Sequence, residues 1–153
     1  MLSNQPLYLI AQNIRSLYNV GGLFRCADVF GITKIYLSGY TGYPPRSEIS
    51  KVALGAETWI PWERHYQTHT LIKKLKKEGI CIVALETGEP STPLPKFKPS
   101  FPMALIVGNE VNGISKKILE LADERVTIPM LGQKESLNVV VATGIALYQI
   151  RNK

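Results

Sequence analysis

Five apolar runs constrain this chain more than anything else in it. They are LYLIAQ (Leu7–Gln12), KIYLSGY (Lys34–Tyr40), ICIVALET (Ile80–Thr87), MALIVGNE (Met103–Glu110) and RVTIPM (Arg125–Met130). Apolar residues fill consecutive positions instead of alternating with polar ones, so both faces of each strand need cover. Between the runs come segments with helical spacing and helical punctuation. Asn19 reads as the cap of a helix to about Phe30 that Gly31 stops. Thr70–Glu78 ends at Gly79, Ser115 caps a helix to Asp123, and a last helix covers Ser136–Arg151. Strands covered on both faces and alternating with helices make an α/β fold, a mostly parallel sheet covered by helices. A length of 153 residues fits a single domain, 1–153, with one core.

Two segments resist that pattern. TGYPPRSEISKVALGAETWIPWERHY reads as a long loop with one helical turn and a short strand near Trp59. GEPSTPLPKFKPSFP is rich in proline, which excludes regular structure. The helix over Thr70–Glu78 is amphipathic, with Leu71, Ile72 and Leu75 inward and Lys73, Lys74, Lys76 and Lys77 on what reads as a solvated face. The last helix is different: SLNVVVATGIALYQI is apolar nearly all round. A helix like that needs cover on a second side, and a subunit interface supplies it, so a homodimer is expected. The β-branched Val139–Val141 keep a strand open there as an alternative.

Composition narrows the partners. Eighteen Lys and Arg against twelve Asp and Glu leave a net charge of +6, which suits RNA or DNA as well as a plain basic surface. Cys26 and Cys81 fit neither a disulfide framework nor a metal pattern and read as buried small hydrophobes in a reducing cytosol. The first residues carry no secretory signal, and no apolar run is long enough for a membrane span, so the chain is expected to be soluble and cytoplasmic. Neither G-x-G-x-x-G nor a P-loop occurs, which disfavours nucleotide binding of those kinds, and no G-x-S-x-G elbow occurs. His65 and His69 have the i, i+4 spacing of a metal pair but no supporting ligands, so no metal site is expected.

Three polar clusters remain at the edges of apolar elements: NVGGLFR (Asn19–Arg25), IVGNEVNGIS (Ile106–Ser115) and IPMLGQKESLN (Ile128–Asn138). The second and third follow strands, where ligands bind in an open parallel sheet. Singly, each has a structural explanation: Asn19 and Ser136 as caps, Gly108 and Gly113 as turn residues. The paired glycines of the first cluster are costly in a helix, so something must approach that backbone closely, or approach the Asn19 and Arg25 that bracket it.

Together and in this order, the clusters resemble the TrmH/SpoU family of RNA ribose methyltransferases, within the SPOUT superfamily. The resemblance runs from about Leu7 to Arg151, and the motif positions Asn19, Arg25, Glu110, Ser136 and Asn138 all match. It implies a catalytic core without an accessory RNA-binding domain. It also implies a trefoil knot from about Ile80 onward, a dimer, S-adenosyl-L-methionine as cofactor and transfer of its methyl to a ribose 2′-hydroxyl of tRNA or rRNA. A non-catalytic RNA-binding module of the same fold, and an enzyme methylating a base nitrogen, are the alternatives.

The resemblance also assigns residues. Asn19, Arg25, Glu110, Ser136 and Asn138 would be catalytic. Leu85, Thr87, Gly108, Asn109, Ile128, Met130, Ser136 and Leu137 would hold the cofactor, with Gly108 letting the chain approach it. Arg25, Arg46 and Lys51 would contact RNA, and a partner protein could add recognition. The glycines of NVGGLFR would let the helix start lie against the substrate, its N–H groups facing a phosphate. Asn19 would brace Arg25 or the loop around it. Because a guanidinium stays protonated, Arg25 suits a phosphate or a developing alkoxide better than proton abstraction. Tyr40, Tyr43 and Trp59 are candidate base-stacking residues.

Overall fold

The structure, a computed structural model, describes residues 4–153; the domain and leader readings that include residues 1–3 reach beyond it. Seven strands form one sheet in the order β3-β2-β1-β6-β4-β7-β5, and every pairing is parallel. They are β1 (Leu7–Gln12), β2 (Lys34–Ser38), β3 (Trp62–His65), β4 (Cys81–Leu85), β5 (Thr92–Pro93), β6 (Met103–Val107) and β7 (Glu124–Thr127). The helices are α1 (Leu17–Val29), α2 (Ser47–Ala53), α3 (Thr68–Lys77), α4 (Lys116–Leu121) and α5 (Val139–Arg151).

The unbroken apolar runs bury both sheet faces. Leu9, Leu37, Val83 and Leu105 pack under α1, α2 and α5, against Val20, Leu23, Phe24, Ile49 and Leu147. Ile10, Ile82, Ala84 and Ile106 face the other way, against Leu71, Ile72 and Leu75 of α3 and Ile118 of α4. The late strands interleave: β6 inserts between β1 and β4, and β7 between β4 and β5. The carboxyl ends of β4, β6 and β7 therefore sit side by side, though their loops lie far apart in sequence.

Several expectations need correction. The segment after β2 holds a full helix, α2, and a 3-10 turn at Ala56–Thr58, and the strand begins at Trp62, not near Trp59. The proline-rich stretch is partly regular, since Thr92–Pro93 pairs with β7 and Leu94–Lys96 is a 3-10 turn. An edge strand needs a ladder on one side only, so it tolerates proline. Val139–Val141 are helical, with Asn138 and not Ser136 at the cap of α5; the Asn138 side chain accepts from Val140 N and Val141 N. Asn19 is not a cap either: Ser16 caps α1 and its Oγ accepts from Asn19 N at 3.2 Å.

The paired glycines serve packing between helices. A Cβ on Gly21 would meet the carbonyl oxygen of Ile49 in α2, and one on Gly22 would come within 2.7 Å of Val140 Cγ2 in α5. Both glycines are buried in the second turn of α1, so they do not lie open to a substrate. Gly21→Val should lower stability by about 2 kcal/mol in urea denaturation, because a backbone carbonyl cannot rotate out of the way. An unchanged midpoint would contradict that packing role.

Arg151 closes the fold at the end of α5. It is buried, and it donates from Nε to Phe30 O at 2.8 Å, from Nη1 to Gln5 O at 2.7 Å and from Nη2 to Gly31 O at 2.7 Å. Cys26 and Cys81 are only partly buried; burial pushes both thiols up, against a lowering pull from Arg25 on Cys26. Among the described residues no helix is long and apolar enough to cross a membrane.

Candidate active site

A cleft of about 520 Å³ opens beyond the carboxyl ends of β4, β6 and β7. The loop after β4 brings Leu85, Glu86 and Thr87, the loop after β6 brings Gly108 to Ile114, and the chain after β7 brings Ile128, Met130, Ser136 and Leu137. All eight residues expected to hold a cofactor, Leu85, Thr87, Gly108, Asn109, Ile128, Met130, Ser136 and Leu137, line this one cleft. A second hollow of about 410 Å³ is formed by Arg15, Ser16, Asn19 and Glu110, and Glu110 belongs to both.

Hydrogen bonds join the three sequence clusters. Asn19 Nδ2 donates to Glu110 Oε2 at 2.9 Å, and Asn138 Nδ2 reaches Asn19 Oδ1 at 3.4 Å. Glu110 also accepts from Arg15 N and Ser16 N, each at 2.9 Å. Burial raises its carboxyl pKa, but these donors together outweigh burial and hold it below the ordinary glutamate value. Glu110 thus sits as an internal anion just ahead of α1, bonded to the N–H groups of Arg15 and of the cap Ser16.

The loop after β6 is shaped from within. The Asn109 side chain donates to Asn13 O at 2.8 Å and Tyr40 Oη at 2.7 Å, and accepts from Val111 N and Asn112 N. Its amide is fully used, leaving the backbone and one wall for a ligand. A Cβ on Gly108 would come within 2.6 Å of the Gly113 carbonyl carbon and 2.7 Å of Ile114 N. Gly108 thus makes a close approach to its own loop while lining the cleft. Gly113, at φ +67°, completes the turn.

Sequence reasoning passed over Glu86. It follows β4 directly, lines the cleft, and accepts from Ile114 N at 2.7 Å and Thr87 N at 2.8 Å, so it fastens two of the cleft loops together. Its place at a strand's carboxyl end was the available signal.

Other candidates fall elsewhere. Ser136 lines the cleft with no hydrogen-bond partner among the described residues. Arg25 is exposed, and it lines neither hollow and makes no bond to Asn19. Asn19 braces the Glu110 loop instead. Arg46 and Lys51 are exposed at the cap and last turn of α2, outside both hollows. Lys76 pairs with Asp123 at 3.3 Å, so the lysine face of α3 is not wholly solvated. Trp59 donates to Asp28 at the far end of α1, away from the cleft. His65 lies on β3 against Glu63 and His69 on α3, so the two imidazoles share no helical face.

Residues 6–148 match the SpoU rRNA Methylase family. The tRNA (guanosine(18)-2'-O)-methyltransferase of Aquifex aeolicus is 32% identical over 150 residues, 97% of this chain and 70% of that protein. The 23S rRNA (guanosine-2'-O-)-methyltransferase RlmB of Escherichia coli K12 is 33% identical over 146 residues, 95% of this chain and 60% of that protein. The structure of an AdoMet-bound rRNA methyltransferase from Sinorhizobium meliloti superposes with a TM-score of 0.91 at 29% identity, covering 98% of this chain and 57% of that one. The chain thus spans about three fifths of the two rRNA enzymes it resembles.

Proposed function

The chain belongs to the SpoU rRNA Methylase family, and from that premise we propose that it moves a methyl group from S-adenosylmethionine to a ribose 2′-hydroxyl of structured RNA, tRNA or rRNA. The observation that carries this reading is the line Glu110–Asn19–Asn138, which ties all three motif clusters to the rim of one cleft.

The cleft suits that donor. Its volume lies in the range of small-molecule sites. Leu85, Ile128, Met130 and Leu137 offer apolar walls for the faces of an adenine, and the loop backbones offer groups for its edge. Glu86 and Glu135 also line the cleft, and their carboxylates complement a cationic ligand. When bound, the sulfonium supplies a methyl already activated for transfer. The chain's own task is then alignment of the ribose and care of its proton. Ser136, with its hydroxyl unengaged, positions the ribose. Glu110 and Asn19 hold the start of α1 against the Asn138 cap, fixing the rim. Arg25, a permanent cation, steadies the substrate phosphate or the developing alkoxide, and water or phosphate takes the proton.

Arg25 does this across a dimer. It shares the exposed stripe of α1 with Tyr18 and Val29, at i, i+7 and i+11. Beside that stripe α5 exposes Val141, Ile145 and Tyr148, the last packed edge-on against Phe30. An apolar face of this kind fits a second copy of the chain, and in such a dimer Arg25 would stand at the junction and serve the other subunit's cleft. Light scattering should give a dimer, and Ile145→Asp a monomer; a wild-type monomer, or a dimer that survives the substitution, would contradict this face. We also read the interleaved order of β4 to β7, with α5 returning to α1, as the trefoil knot. The cytoplasm, where such RNAs are processed, is the fitting location, and a partner protein could extend recognition.

Calorimetric titration with S-adenosylmethionine tests the reading. One site per chain is expected; absence of binding, with RNA present or without it, would sink it.

A further inference from the structure

Along β3, the edge strand of the sheet, and just past its carboxyl end, four side chains stack in a row. Trp62 lies 6.2 Å from Tyr43 at 32° between ring planes. The Arg64 guanidinium carbon sits 4.5 Å from the Tyr43 ring centre and 3.8 Å from that of Tyr66. Tyr66 is 69% exposed, with Arg64 on one ring face. Arg64 has no carboxylate partner among the described residues; its Nη1 reaches only Tyr43 Oη at 3.5 Å, and its Nε is covered without any acceptor. Core packing does not explain a cation clamped between two tyrosines at an exposed edge. Ordering these side chains costs entropy, and the charge remains without an anion.

We propose that Tyr66, Arg64 and Tyr43 form a platform on which an unpaired base of the substrate RNA stacks, with Arg64 facing the adjoining phosphate. The proposal rests on the methyltransferase reading for its RNA. Aromatic rings and arginine planes are what bind splayed-out bases. The placement is continuous with the cleft. Tyr66, just past the carboxyl end of β3, and the cleft lie at the same edge of the sheet, with β3 and β6 three strand spacings apart, about 14 Å. The loop that carries Tyr43 is tied to the cleft by the bond from Asn109 Nδ2 to Tyr40 Oη. A single strand laid along that edge would put one base on Tyr66 and present a neighbouring ribose to the cleft. This small chain would thereby carry RNA recognition of its own.

The test uses the full chain, unfractionated tRNA and a short oligoadenylate, read by fluorescence anisotropy at several salt concentrations. Tyr66→Ala should weaken binding of both about 5- to 150-fold, the range for loss of one stacked base. Tyr66→Phe should bind as wild type does. The salt slope should not change for Tyr66→Ala, because no phosphate contact is lost, and should fall for Arg64→Gln. In methyl transfer, Tyr66→Ala should raise KM for RNA and leave kcat near its wild-type value. Binding by Tyr66→Ala within twofold of wild type would overturn the platform. So would a wild-type chain that binds S-adenosylmethionine but no RNA. A chain that binds RNA through Tyr66 and never binds S-adenosylmethionine would keep the platform and overturn the methyltransferase reading instead.

Discussion

Arg25→Ala should lower kcat for methyl transfer by about 10²- to 10³-fold, the usual cost of removing one group that stabilises developing charge. Its affinity for S-adenosylmethionine should stay within about twofold of wild type. The separation follows from position. Arg25 lines neither the cleft nor the hollow beside it, and it stands six residues, about 9 Å of helix rise, beyond Asn19. Its side chain is exposed, so the substitution leaves no buried partner behind. Arg25→Lys keeps the charge but loses the planar fork, and it should fall between the two. A large loss of cofactor affinity in Arg25→Ala would place the arginine in the cleft and contradict the division of labour proposed here.

Glu110→Ala acts on stability and activity together. Its carboxylate accepts from Arg15 N, Ser16 N and Asn19 Nδ2, and no other acceptor replaces it for those donors. Bonds to a charged acceptor contribute about 1.5–3 kcal/mol each, but Glu110 is only half-buried and water re-solvates part of the loss. A net cost of about 2 kcal/mol in urea denaturation is expected, with methyl transfer lost because the rim is no longer held. The pH dependence has a definite sign. The folded carboxyl pKa lies below its ordinary value. The stabilisation is therefore complete above the ordinary glutamate range and disappears as pH falls through the lower folded value. Glu110→Gln should remove that acid-side component and keep part of the neutral-pH stability, since one amide oxygen can still accept. A wild-type chain whose stability rises on acidification, or a Glu110→Gln chain with an unchanged acid slope, would contradict the linkage.

Much of this architecture is legible in the residues. The unbroken apolar runs of β1 and β6 announce strands buried on both faces, and Gly31 and Gly79 end their helices at φ +63° and +82°. Strand order is not legible. Nothing in the Met103–Val107 run says that it lies between β1 and β4, because any strand apolar on both faces suits any inner position. Pattern reading also failed where a residue serves tertiary packing. Gly21 and Gly22 look like a ligand contact in the sequence, yet what comes close to them is α2 and α5. Asn19 has the composition of a cap, but Ser16 takes that place and frees its amide for Glu110. Of the site, the eight cleft residues implied by the resemblance come together, while Glu86, Arg64 and Tyr66 emerge only when separate loops meet.

The most direct test is the position of the transferred methyl. Unmodified tRNA and rRNA transcripts, incubated with the chain and S-adenosylmethionine labelled in its methyl, would be hydrolysed and the labelled nucleosides identified by mass spectrometry. Label on the ribose, with the neighbouring phosphodiester made resistant to alkali, is the predicted result, and Arg25→Ala should slow its appearance about 10²- to 10³-fold. Label on a base nitrogen, or none on any transcript from a chain that binds the cofactor, would contradict ribose 2′-hydroxyl methylation.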